Sequence, residues 1–256
     1  MSKSLPGNYA GYYDKAGFIP QQTDRHELAF FASLAPAGRP LDVLDLGCAE
    51  GALSVLLAQK GHEVTAADIS PSQLQMVSEN AETTGVKIST ALCNIENDLS
   101  SLKGRQFDLI FCMDVLEHLK SPVAGLENIR SLLSEKGTAI IHTPNSCAFW
   151  QVVRYAMFRK KRKNYFDPRN VLDLHFQLYD AATLEKALNF VGLKVERFVS
   201  TRLSLPFIHR YKIFAPVFRV LSTIFPFLSD TLLVVCSKTE PIDMERQIEY
   251  WERKYH

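Results

Sequence analysis

Between residues 42 and 142 the chain alternates five short apolar runs, at 42–46, 63–67, 87–92, 107–112 and 138–142, with helix-like segments near 51–60, 71–84 and 122–134. Parallel strands need long crossovers, and helices are the usual crossovers, so this alternation predicts an α/β fold with a parallel sheet covered on both faces. A first helix is expected from Thr23–Asp24, where Asp24 and Glu27 have capping-box spacing. Beyond Pro144 a second helix–strand unit, "DAATLEKALNFVGLKVERFVS", and a β-rich run, "TLLVVCSK", follow. A long connection lies between them, so these last two strands can pair antiparallel at one sheet edge.

A chain of 256 residues, 46% of them hydrophobic, suits one elaborated domain better than two equal ones. We expect that domain over 1–240, with an acceptor or lid insert at 144–180, an apolar-basic insert at 203–229 and a helical tail at 241–256. In the tail, Met244, Ile248, Trp251 and Tyr255 share one helical face, expected to pack on its own domain.

Lys and Arg number 29 against 28 Asp and Glu, so no whole-molecule field draws the protein onto nucleic acid. The five cysteines are far apart, which fits reduced thiols in a cytoplasmic protein better than a disulfide framework. The N-terminus lacks the apolar core of a signal peptide, and Arg210, Lys212, Arg219 and Asp230 interrupt the apolar C-terminal third. A transmembrane anchor is therefore not expected.

The first strand runs into a turn, "VLDLGCAEGA", and in an open parallel sheet ligands bind at the carboxyl ends of the strands. A dinucleotide turn reads G-x-G-x-x-G, but after Gly47 the other two positions hold Ala49 and Ala52, which argues against a nicotinamide oxidoreductase. Acid replaces the phosphate signature: Asp45 ends the first strand, Glu50 lies in the turn and Asp68 ends the second. Pyrophosphate wants backbone N–H groups, whereas an amino-acid ammonium and a ribose diol want carboxylates. That chemistry points to S-adenosylmethionine, with Gly47 and Gly51 admitting close backbone approach and Asp68 accepting the ribose hydroxyls.

These motifs resemble those of the class I S-adenosylmethionine-dependent methyltransferases. "VLDLGCAEG" is similar to their D/E-x-G-x-G-x-G motif, with Ala49 in the middle glycine position, and "VTAADIS" is similar to their ribose-binding motif. "ALCNIEN" resembles their adenine-binding segment, with Asn94 where an acid is usual. The resemblance implies a Rossmann-like, mostly parallel seven-stranded sheet with helices on both faces and an antiparallel last strand. It also implies cofactor contacts at Asp45, Gly47, Cys48, Ala49, Gly51, Asp68, Ile69, Asn94, Ile95 and Met113, and S-adenosyl-L-homocysteine as product.

Past the fourth strand, "CMDVLEHLKSP" is similar to the E-x-x-E-H segment of the ubiquinone-pathway O-methyltransferases and, more loosely, of small-RNA terminal 2′-O-methyltransferases. Were it helical, Asp114, Glu117 and His118 would share a face. There His118, supported by Glu117, would take the acceptor's hydroxyl proton, or Asp114, Glu117 and His118 would hold a divalent metal. Glu117 and His118 can equally cap and orient a helix. His175, in "DLHFQLYDAATL", resembles a family histidine that closes over the acceptor, and His142 ends the fifth apolar run. Tyr9, Tyr12 and Tyr13 either cover the cofactor or pack on the sheet edge.

Segment 148–166, "AFWQVVRYAMFRKKRKNYF", joins an apolar face to clustered cations, as an interfacial helix on an anionic membrane does; a lid and a phosphate-binding patch are the alternatives. The expected acceptor is therefore a small-molecule or lipid- or glycan-linked hydroxyl, met in the cytoplasm or peripherally at the inner membrane face. A non-catalytic S-adenosylmethionine-binding module and an RNA 2′-O-methyltransferase are the rivals. RNA is disfavoured because a single basic run offers few stacking aromatics.

Overall fold

The structure is a computed structural model that describes residues 25–148, 177–199 and 229–243. Its elements are α1 (Arg25–Ser33), β1 (Asp42–Leu46), α2 (Ala52–Gln59), β2 (Glu63–Asp68), α3 (Pro71–Thr84), β3 (Ile88–Leu92), β4 (Phe107–Met113), α4 (Pro122–Leu132), β5 (Leu133–Pro144), α5 (Ala181–Phe190), β6 (Leu193–Val199) and β7 (Thr231–Lys238). Short 3-10 turns cover Ser100–Leu102 and Leu116–His118. The strands form one seven-stranded sheet of order β3-β2-β1-β4-β5-β7-β6. β1 pairs parallel with β2 and β4, and β2 with β3, while β7 pairs antiparallel with both β5 and β6. The expected fold class is thus the observed one, with β7 the strand that runs against its neighbours.

Contacts divide the described residues into two compact units, one holding everything through Met113 with Leu132–Gly137, the other Asp114–Ser131 and everything from Thr138. In the first, Val43, Leu44, Ala66, Ala67 and Ile110–Cys112 are fully buried, as strands covered on both faces must be. Local signals set its helices. α3 starts at Ser70, whose side chain accepts from the Gln73 N–H, with Pro71 in the first turn, and ends at left-handed Gly85. The carboxyl ends of β1, β2, β3 and β4 lie in register, with Leu46 opposite Ala67 and Cys112, and Asp68 opposite Leu92.

In the second unit, Leu184 and Leu188 of α5 are buried, as are Leu232–Val234 of β7. α5 opens with a reciprocal capping box between Asp180 and Thr183. Arg130 donates Nε and Nη2 to the Thr239 carbonyl at 3.0 and 2.8 Å, beside left-handed Gly192. Among the described residues no helix is long and apolar enough to cross a membrane. The 203–228 portion of the second insert and the four-residue stripe of the tail lie outside the described residues, as do Asp24 and the three N-terminal tyrosines.

Candidate functional site

The turn after β1 has an unusual backbone. Gly47, Ala49 and Gly51 have φ of 73°, 47° and 80°, three left-handed residues in five. Two are glycines, which bear this conformation freely; Ala49 carries a Cβ into it and has to be held there. Asp68 holds it: Oδ2 accepts the Ala49 N–H at 3.0 Å, while Oδ1 accepts the Ser70 N–H at 2.9 Å. The Gly47 and Cys48 N–H groups both donate to the Ala67 carbonyl, at 2.8 and 3.1 Å. Two of the turn's N–H groups are therefore fixed by strand β2 and a third by its terminal carboxylate.

Asp45 is buried and its Oδ2 accepts the Ser54 hydroxyl at 2.6 Å. Burial pushes its carboxyl up to about 6, the Ser54 hydrogen bond opposes that rise, and the charge of Asp68 adds to it. Burial raises the Cys48 thiol far above its usual value, and that side chain packs with Ala66, Leu74 and Val77. Cys48 is thus a packing residue whose backbone belongs to the turn.

The other expected cofactor residues collect at the same strand ends. Ile69 follows Asp68 and is half-buried, Ile95 is buried, and Met113 ends β4. Asn94 differs from expectation in one respect. Its Oδ1 accepts the Glu96 N–H at 3.0 Å, and its N–H and carbonyl pair with Asp98, so the amide shapes its own loop.

In the second unit the acid–histidine cluster takes a different form from the one expected. Asp114 has φ of 54° and the segment is not an α-helix but a 3-10 turn over Leu116–His118. The Asp114 N–H donates to the His142 carbonyl at 3.0 Å, and Asp114 Oδ1 lies 2.9 Å from His142 Nδ1. The Asp114 side chain is 55% exposed and that of His142 only 4%. Glu117 is buried; Oε2 accepts the Thr143 hydroxyl at 3.0 Å, and burial, with the Asp114 charge next, holds its carboxyl above the usual range. Its Oε1 is buried and has no hydrogen-bond partner among the described residues. His118 is half-buried, and its N–H closes the turn onto the Val115 carbonyl at 3.0 Å.

Asp114, Glu117 and His118 therefore do not converge as the expected cation-holding trio: Asp114 turns to His142 and Glu117 to Thr143. Among the described residues no three His, Cys, Asp or Glu side chains group to hold a metal. His175 and the segment 149–166 lie outside the described residues. Sequence reading noted His142 singly but missed its partnership with Asp114, which requires the alignment of two strand ends 28 positions apart.

The sequence profile of the methyltransferase domain family matches residues 21–197. Over 114 residues the chain is 35% identical to the ubiquinone biosynthesis O-methyltransferase of Xanthomonas axonopodis pv. citri, covering 44% of this chain and 46% of that protein. It is 32% identical over 106 residues to the protein of the same name from Actinobacillus pleuropneumoniae, covering 40% and 45%. The chain thus spans about half the length of the curated relatives it matches. Among solved structures it is similar to the Burkholderia thailandensis 1,6-didemethyltoxoflavin-N1-methyltransferase, with TM-score 0.59, 18% identity and coverage of 94% and 93%. It is also similar to the magnesium protoporphyrin IX methyltransferase of Synechocystis, with TM-score 0.57, 17% identity and coverage of 93% and 90%. Both were solved with S-adenosylhomocysteine bound, and at these identities the likeness establishes the fold. By profile, fold and turn chemistry together, the chain belongs to the methyltransferase domain family and has the class I S-adenosylmethionine-dependent methyltransferase fold.

Proposed function

We propose that this chain O-methylates a hydroxyl of a small or lipid- or glycan-linked acceptor, using S-adenosyl-L-methionine and releasing S-adenosyl-L-homocysteine. The first unit's donor set fits that cofactor. Asp68, whose two oxygens accept the Ala49 and Ser70 N–H groups, sets a carboxylate at the end of β2, the kind of acceptor that a ribose diol wants. The acids at the ends of β1 and β2 suit an ammonium group and repel a pyrophosphate. When bound, the cofactor supplies an electrophilic methyl for in-line displacement; the chain has to orient the acceptor oxygen and receive its proton.

The observation that carries the oxygen reading is Asp114, an exposed carboxylate in a left-handed conformation fixed by a buried histidine. Strained, over-determined residues of this kind cluster at functional sites. We assign it the acceptor's hydroxyl hydrogen bond and proton, with His142 Nδ1 setting its direction. Glu117, buried against Thr143, supports the turn rather than receiving the proton. His118 and His175 are the further groups proposed to close around the acceptor. The names of the curated relatives, O-methyltransferases of ubiquinone biosynthesis, support oxygen as the target.

The test is mass spectrometry of cell extract incubated with the protein and deuterated-methyl cofactor. A labelled methoxy product is expected; label on nitrogen or carbon alone would overturn the oxygen assignment. The apolar and basic stretch 148–166 supports an acceptor met at an anionic lipid surface. Flotation with anionic vesicles but not with neutral ones is the expected result, and equal partition would remove the membrane part of the proposal.

A further inference from the structure

The inner face of α3 is moulded to the turn that follows β1. Leu74 and Val77 pack with Cys48, a Cβ added at Gly51 would lie 2.8 Å from Val77 Cγ2, and Asn80 donates Nδ2 to the Glu50 carbonyl at 2.9 Å. Positions 74, 77 and 80 are three apart and so fall along one stripe of the helix. At its start α3 is tied to the same turn through Asp68, which takes the Ser70 N–H on one oxygen and the Ala49 N–H on the other. The turn is thus braced by α3 at two points about three helical turns apart.

Such bracing is needed because Ala49 is a non-glycine residue in the left-handed region. With the Glu50 carbonyl released, the 49–51 backbone regains commoner conformations that point its N–H groups elsewhere. We infer that Asn80 is a positioning residue for the cofactor: it acts through Glu50 to keep the turn in its binding conformation before any ligand arrives. Affinity for a ligand of this turn then scales with the fraction of chains holding that conformation. The inference rests on reading the turn as the S-adenosylmethionine site.

The experiment pairs calorimetry with S-adenosylhomocysteine and hydrogen exchange of the ligand-free protein, on Asn80→Ala, Asn80→Asp and the control Thr83→Ala. Among the described residues the Thr83 hydroxyl bonds within its own helix, donating to the Glu79 carbonyl. Both Asn80 variants are expected to weaken S-adenosylhomocysteine binding by roughly three- to tenfold, as loss of one solvent-facing hydrogen bond does. Exchange over residues 47–54 should accelerate in both, and Thr83→Ala should match the unaltered protein. Since Ala is the better helix former, Asn80→Ala should not lower Tm, which separates positioning from loss of stability. Unaltered affinity and exchange in Asn80→Asp overturn the inference. If the unaltered protein binds no S-adenosylhomocysteine, the cofactor reading fails, and with it Asn80's role toward that cofactor; the exchange data alone still decide whether Asn80 holds the turn.

Discussion

Asp114 and His142 are joined twice, backbone N–H to carbonyl at 3.0 Å and carboxylate to imidazole at 2.9 Å. The two contacts fix both the strained backbone of the acid and the direction of its side chain. Asn tolerates the left-handed region and its amide oxygen still accepts from His142. Asp114→Asn should therefore fold with an unchanged Tm and bind S-adenosylhomocysteine normally. Turnover of the labelled acceptor should fall about 100-fold, the scale on which a lost general base acts.

Gly51 combines a φ of 80° with a Cβ position 2.8 Å from Val77 Cγ2. Gly51→Ala should cost about 2–3 kcal/mol, from a left-handed penalty of roughly 1–2 plus overpacking. Adding Val77→Ala relieves the collision and leaves the backbone penalty, so the double variant should lose less stability than the sum of the two single losses. Urea midpoints of the four proteins check this.

Asp45 gives the protein a pH dependence with a definite sign. Its folded pKa, about 6, lies above the ordinary carboxylate value of 3.8, so between these limits the folded state binds more protons than the unfolded. Its contribution is complete below the unfolded pKa and is lost as pH rises through the folded one, an effect of about 3 kcal/mol. Glu117, also raised, adds a loss of the same sign. Asp45→Asn keeps an acceptor for Ser54 and isolates the Asp45 share. It should match the unaltered protein near pH 4 and exceed it in urea stability by roughly 2–3 kcal/mol at pH 8.

Gly192 sits where a Cβ would lie 2.6 Å from the Thr239 carbonyl oxygen and 2.7 Å from both Arg130 Nε and the Pro241 nitrogen. Two of these neighbours are backbone and cannot turn aside, so Gly192→Ala should cost about 3 kcal/mol or more. Arg130→Lys loses the two-pronged hold on Thr239 and should cost about 1 kcal/mol. Thermal denaturation followed by circular dichroism reads both.

Sequence legibility followed the physics of burial. β1, β2 and β4 were readable to within a residue because their buried cores read as apolar runs, whereas β3, an edge strand exposed at Ser89, Thr90 and Leu92, was readable from its place in the alternation. β5 starts at Leu133, five residues before its apolar core, since Ser134, Glu135 and Lys136 read as a turn. The acids and glycines of the cofactor turn were legible because they are local. Asp114–His142 and Asn80–Glu50 were not: the first joins two side chains and the second a side chain to a backbone carbonyl, and only tertiary register brings either pair together. Glu117 misled because a charged residue is expected outside, and its burial depends on Thr143, a neighbour 26 positions away.

Of the five cysteines four are buried, and Cys147 is exposed just beyond the end of β5. Burial holds the thiols of Cys48, Cys93 and Cys236 above their ordinary values and so keeps them poor nucleophiles. A maleimide dye will therefore attach at one place in the unmodified chain, at the threshold of the segment expected to meet the acceptor. The protein carries its own fluorescent reporter position, and acceptor or vesicle titrations can be followed optically without engineering a single residue.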